Sequence, residues 1–147
     1  MRLAYAEAEK AFEAGEIPVG AIIVHQDSVI GKGYNQRELL NDPTAHAEMI
    51  AISSAAEFLK DWRLDECTIY VTLEPCPMCA GAILNARIPK VVFGAYDDEA
   101  GMCGSIENLC DQNLLNHKAV VVGGVLEEQC ELLLKSFFYK IRNQSRD

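Results

Sequence analysis

The sequence predicts an α/β fold in three layers, α/β/α, with a five-stranded mixed sheet in the middle. Three observations predict it. The runs Ala21-Ile22-Ile23-Val24 and Val120-Val121-Val122 lack polar alternation, as strands covered on both faces do. A two-strand hairpin precedes segments that alternate between helical and strand periodicity, the pattern of a mostly parallel sheet clothed in helices. The 147 residues, 50% of them hydrophobic, suffice for one domain, 1–147, with a substantial core.

The elements follow in order. Arg2 to Ala14 reads as a helix: Ala4, Ala8 and Phe12 recur four apart with Leu3 beside them, and Gly15 stops it. Pro18 to Val24 is the first strand, Asp27-Ser28 a turn, and Val29 to Asn35 the returning strand. Gly31-Lys32-Gly33 is no dinucleotide fingerprint, because no third glycine follows and no helix opens there; close backbone approach explains it better. After a polar loop from Gln36 to Asn41, Asp42 suits a helix N-cap with Pro43 at the first position. Ala47, Ile50, Ala51, Ala55 and Phe58 form the apolar stripe of that helix. Thr68 to Leu73 is a strand, a helix runs from Cys76 or Pro77 to Ala86, and Lys90 to Ala95 is a strand. A glycine-containing loop from Tyr96 to Gly104 leads to a short helical piece, Ser105 to Cys110. Ala119 to Val122 is the last strand and Leu126 to Asn143 the last helix.

Composition narrows the function classes. The start, Met1-Arg2-Leu3-Ala4-Tyr5-Ala6-Glu7, turns acidic at once and resembles no signal peptide. No apolar run approaches the roughly 20 residues that span a bilayer. The expectation is therefore a cytoplasmic protein, without a membrane partner, whose six cysteines stay reduced. The net charge of −9 gives no support to an extended nucleic-acid surface, and DNA is not an expected partner. Charge is unevenly spread, however. From Lys135 onward Lys135, Lys140, Arg142 and Arg146 face only Asp147, a local balance of +3 beside −12 on the remaining 134 residues. Such a tip suits local phosphate contact, and equally a solvated helix end whose dipole favours cations.

The chemistry lies in Asp42-Pro43-Thr44-Ala45-His46-Ala47-Glu48 and Pro75-Cys76-Pro77-Met78-Cys79. One histidine and two cysteines offer three zinc ligands and leave a fourth position for water, the form of a catalytic rather than a structural site. Glu48, two residues after His46, stands close enough to move that water's protons. Both segments should open helices at one end of the sheet, where helix N-termini favour thiolates. A C-x-x-C alone is also compatible with redox chemistry; the additional ligand His46 and base Glu48 favour zinc. Among the other residues, His25 reads as a solvent-exposed turn residue and His117 as structural. Cys67, Cys103, Cys110 and Cys130 read as core thiols, and Trp62 as packing under the loop after the second helix.

The H-x-E … P-C-x-x-C pattern resembles that of zinc-dependent nucleobase deaminases. More of the chain resembles one branch, the tRNA-specific adenosine deaminase family. The likeness runs through Gly15 to Ala21, Gly33-Tyr34-Asn35, Asp42 to Glu48 and Thr72 to Cys76. It continues through Arg87-Ile88, Gly94-Ala95, Gly101 to Ser105, Asn116-His117 and Phe137-Phe138. The guanine deaminase family shares Asp42 to Glu48 and Pro75 to Cys79, but is not expected to carry the glycine-serine loop or the Phe137-Phe138 helix in this form. The resemblance implies a cytidine deaminase-like fold and one Zn2+ per subunit on His46, Cys76 and Cys79, with Glu48 as proton shuttle. Asn35 and the backbone N–H of Ala47 would bind the flipped base, and Phe137 and Phe138 would help enclose a tRNA anticodon loop. A homodimer is implied as well. The implied reaction is hydrolysis of adenosine to inosine at the wobble position. A free-base or nucleoside deaminase of guanine or cytosine type, and a non-catalytic zinc-binding subunit, are the alternatives. Glu99 replaces a lysine common in the family, and the final helix is less basic than is usual there; both weaken the electrostatic share of RNA affinity.

Overall fold

The structure is a computed structural model that describes residues 1–146. In chain order its elements are α1 (Arg2–Glu13), β1 (Gly20–His25), β2 (Ser28–Tyr34), α2 (Arg37–Leu40), α3 (Ala47–Leu59) and β3 (Cys67–Leu73). There follow α4 (Pro77–Asn85), β4 (Lys90–Ala95), a single 3-10 turn (Leu109–Asp111), β5 (Val120–Val122) and α5 (Glu127–Gln144). The sheet is five-stranded in the order β2-β1-β3-β4-β5. Strand β1 pairs antiparallel with both β2 and β3, whereas β3–β4 and β4–β5 are parallel. Four strands thus share a direction and β1 runs against them, so the pairings divide evenly instead of being mostly parallel.

The layers follow from close approaches between strand and helix backbones. A Cβ on Gly20 would come within 2.1 Å of the Ala4 carbonyl oxygen of α1. One on Gly33 would come within 2.3 Å of the Ala47 oxygen of α3. Gly33 pairs with Ala21, the neighbour of Gly20, so the two glycines face opposite sides of the sheet. Helix α1 therefore covers one face and α3 the other. Helix α5 joins α1, with Phe12 and Phe137 edge-to-face at 5.9 Å, and α4 packs beside α3. Phe93, Ile23, Leu64, Ile69, Ile83 and Ile88 are fully buried between these layers, each contributing about 1.5–3 kcal/mol of transfer free energy.

Several expectations are corrected. Helix α3 begins at Ala47, not at Pro43. Asp42 instead closes a turn, its carboxylate accepting from the Thr44 N–H at 2.8 Å and hydroxyl at 2.7 Å. The hairpin turn is Gln26-Asp27, both at positive φ (49° and 63°), a turn ordinarily marked by Asn-Gly. The polar loop contains the short helix α2, whose Glu38 and Leu39 N–H groups are capped by the buried Glu16 carboxylate from across the chain. Phe58 and Trp62 are exposed rather than packed inward, with Arg63 stacked over the Trp62 ring at 4.7 Å. His25 ends β1 and pairs with Glu66 at 3.4 Å, while His117 bonds the Ile88 carbonyl at 2.9 Å in a structural role. All six cysteines are free thiols, and no helix among the described residues is long and apolar enough to cross a membrane.

Candidate metal centre and active site

Two helix N-termini build the site. His46 is the N-cap of α3 and Cys76 the N-cap of α4, both in extended backbone (ψ 154° and 175°). Neither side chain caps its own helix, so both are free to turn toward a shared point. Pro77 holds the first helical position of α4, where no N–H is needed, and Cys79 follows within the same turn.

The three side chains meet there. His46 Nδ1 lies 3.6 Å from Cys76 Sγ and 3.5 Å from Cys79 Sγ, and the three donor atoms lie within 4.8 Å of one another. A tetrahedral ion about 2.0 Å from nitrogen and about 2.3 Å from sulfur sets those donors about 3.6 Å apart. The donor set therefore fits zinc in both chemistry and spacing. Among the described residues no other group of three His, Cys, Asp or Glu side chains gathers in this way.

Local electrostatics prepares the ligands. A hydrogen bond from the Cys79 thiol, aided by His46 and opposed by burial, holds the Cys76 thiol down to about 4. The same bond and burial push the Cys79 thiol up. The bond to Cys76 raises His46 above its ordinary value, against the effect of burial. Glu48 is buried in the first turn of α3, and burial pushes its carboxyl above the usual range, partly offset by its own backbone N–H and by Cys79. One sulfur is thus a ready thiolate, while Glu48 is poised to hold a proton.

His46 and Glu48 open onto a cavity of about 100 Å³ lined also by Ile17, Val19, Asn35, Arg37, Leu73 and Glu74. Asn35 is buried and fixed: its Nδ2 donates to the Ile17 carbonyl at 3.1 Å and its Oδ1 accepts from the Arg37 N–H at 3.2 Å. One donor hydrogen and one lone pair of that amide remain. Ala47 carries the first N–H of α3, which has no partner within the helix. Phe137 and Phe138 lie outside this cavity. They line an adjoining groove of about 220 Å³ that shares Ile17 and Arg37 with it. Phe137 is buried, packed between Phe12 and Phe138, whereas Phe138 is 44% exposed.

Two cavity residues escaped the sequence reading. Arg37 stands exposed on α2 at the junction of cavity and groove, on a helix too short to leave a periodicity. Glu74 is buried just before Pro75 and Cys76 and accepts hydrogen bonds from Asp97, Cys103 and Ser105. Its only sequence signal is a lone acid between an apolar strand and a proline.

A five-stranded sheet with a His-Cys-Cys cluster and a buried glutamate at one end defines a deaminase. Accordingly, residues 1–142 match the MafB19-like deaminase family. A tRNA-specific adenosine deaminase from Bacillus subtilis (strain 168) is 47% identical over 99% of this chain and 91% of its own length. A solved structure from studies of A-to-I editing by tRNA:A34 deaminases superposes with a TM-score of 0.87. It is 41% identical and covers 90% of this chain and 96% of its own. A guanine deaminase structure from Bacillus subtilis is 43% identical, but covers 65% of this chain and 61% of its own, with a TM-score of 0.62. The chain belongs to the tRNA-specific adenosine deaminase family.

Proposed function

We propose that the protein hydrolyses adenosine to inosine, releasing ammonia, at the wobble position of a tRNA anticodon loop. The observation that carries the substrate assignment is likeness to tRNA-specific adenosine deaminases over nearly the whole of both chains, well beyond the metal segments. The clustering of His46, Cys76 and Cys79 beside Glu48 supports the chemistry.

His46, Cys76 and Cys79 would hold one zinc ion per subunit, which when bound supplies Lewis-acid activation of water for attack on C6 of the base. Glu48 takes the proton of the attacking water and delivers it to the departing amine, a function worth roughly 100- to 10,000-fold in rate. Burial suits it to this, because a raised carboxyl pKa favours holding the proton between the two transfers. Asn35, preset by Ile17 and Arg37, offers its remaining amide hydrogen and lone pair to the base, and the Ala47 N–H meets the base edge.

The cavity, about 100 Å³, is small and suits a base rather than a whole nucleotide, with sugar and phosphate left outside. A single-stranded loop supplies such a base without the melting of a duplex. Phe138, beside Phe137 in the adjoining groove, presents an exposed ring to a flanking base, and Arg37 a cation to the neighbouring backbone. The same reading includes a cytoplasmic homodimer. Sedimentation at micromolar concentration should give twice the chain mass; a monomer would remove that part.

The net charge of −9 favours a second reading, a deaminase of free guanine, cytosine or their nucleosides. Release of ammonia from a panel of free bases and nucleosides, set against inosine formation in an anticodon stem-loop, separates the two. A non-catalytic subunit is disfavoured by the intact Glu48, and activity of the isolated chain would exclude it.

A further inference from the structure

Glu74 is a buried carboxylate that belongs to none of the ion pairs among the described residues. Its charge is met instead by dipoles from a single loop. Oε1 accepts from the Asp97 N–H at 3.1 Å and from the Ser105 hydroxyl. Oε2 accepts from the N–H groups of Cys103 and Ser105, each at 3.0 Å. The loop backbone passes close enough that a Cβ on Gly101 would lie 2.4 Å from Glu74 Cδ, so only glycine leaves the carboxylate its place.

The chain around Glu74 has little slack. Its N–H donates to the Ala95 carbonyl at 2.8 Å, fixing it to the end of β4. The next residue, Pro75, accepts from the Met102 N–H at 2.9 Å, and Cys76 then caps α4, its carbonyl accepting from the Ala80 N–H at 2.8 Å. Loop 97–105 thus holds both the Glu74 carboxylate and, through Met102, the residue that precedes Cys76. Glu74 also lines the same cavity as Asn35, His46 and Glu48.

We infer that Glu74 is a positioning residue for the reaction: by gathering loop 97–105 against the Cys76 segment, its carboxylate fixes the direction from which Cys76 meets the metal. In this role it acts through the Cys76 segment rather than on the reacting atoms. The kinetic part of the test rests on the deaminase reading above, whereas the spectroscopic part does not.

The test compares full-length metal-loaded wild type with Glu74→Gln, Ser105→Ala and Gly101→Ala, using cobalt(II) in place of zinc as a spectroscopic probe. Glu74→Gln preserves size but places an amide NH2 against N–H and hydroxyl donors. Outer partners of metal ligands are commonly worth about 10- to 100-fold in metal affinity or activity. The expected result is a fall in kcat of about that size, a KM within about threefold of wild type, and shifted thiolate-to-cobalt bands. Ser105→Ala, which removes one of four bonds, should shift the bands less and in the same direction. A lowered melting temperature with unchanged cobalt bands and kcat would reduce Glu74 to a merely structural residue and overturn the inference. If Glu74→Gln does not fold, Ser105→Ala and Gly101→Ala decide: shifted bands in either support it, and unchanged bands in both overturn it. Wild-type protein inactive on the stem-loop would refute the deaminase reading and leave the cobalt bands to judge Glu74 alone.

Discussion

His46 Nδ1 stands 3.6 Å from Cys76 Sγ although 30 residues separate them in sequence. The contact joins the N-termini of α3 and α4, so a bound ion clasps two helices that otherwise pack side by side. Ligand binding to the folded state alone stabilises it by mass action, about 2.7 kcal/mol at 100 times Kd. Purified protein should carry one zinc per chain by elemental analysis, and a chelator should lower its melting temperature. Cys76→Ser should lose the metal. Unchanged metal content in that variant would show that the ligand set is wrong.

Glu48→Ala should lower turnover by roughly 100- to 10,000-fold, since it removes the proton carrier and no ligand. Zinc content should stay at one per chain. The two readouts together separate a proton shuttle from a metal ligand. Full activity in the variant would remove the proposed shuttle.

Metal binding should release protons in a pH-dependent number. Cys76, held down to about 4, is already a thiolate at neutral pH, whereas the raised Cys79 thiol must lose its proton to become a ligand. Above the raised range of His46, close to one proton should therefore be released. As pH falls through that range, His46 gains a proton that the metal must displace, and the number rises toward two. Affinity then weakens about tenfold per pH unit for each proton released. Calorimetry in buffers of different ionisation enthalpy counts these protons directly. A count that does not change with pH would contradict the assignment.

Gly33→Ala should be costly for stability and for the site. The added methyl would meet the Ala47 carbonyl at 2.3 Å and the Ala51 nitrogen at 2.8 Å, both rigid helix backbone. Overpacking of this kind costs about 1–3 kcal/mol, and here the atom displaced belongs to the residue after His46. Chemical denaturation should show the loss, with a parallel fall in zinc retention. A variant as stable as wild type would mean that α3 sits farther from β2 than described.

The fold was legible where periodicity spoke alone. Lys90 to Ala95 is β4 to the residue, and the apolar runs around Ile22 and Val121 are strands, although β5 lies at the sheet edge with Val120 and Val122 exposed rather than covered on both faces. Tertiary context decided the rest. Asp42-Pro43 carries the pattern of a helix start, yet Asp42 spends its carboxylate on Thr44, leaving His46 as N-cap with its ring free for the site. Helix α2 has four residues and depends on Glu16, a cap 22 and 23 residues from the N–H groups it accepts from, which no local pattern announces. The His46-Cys76-Cys79 cluster was legible because its residue types and spacing suit one ion. Glu74 and Arg37 were not, because their roles arise only when separate loops meet.

The most direct test is inosine formation in a defined anticodon stem-loop with adenosine at the wobble position, using zinc-loaded protein at low salt and free nucleosides as controls. The account predicts inosine at that position alone and no turnover of free adenosine, guanine or cytidine. Ammonia released from a free base or nucleoside, with the stem-loop left intact, would contradict it.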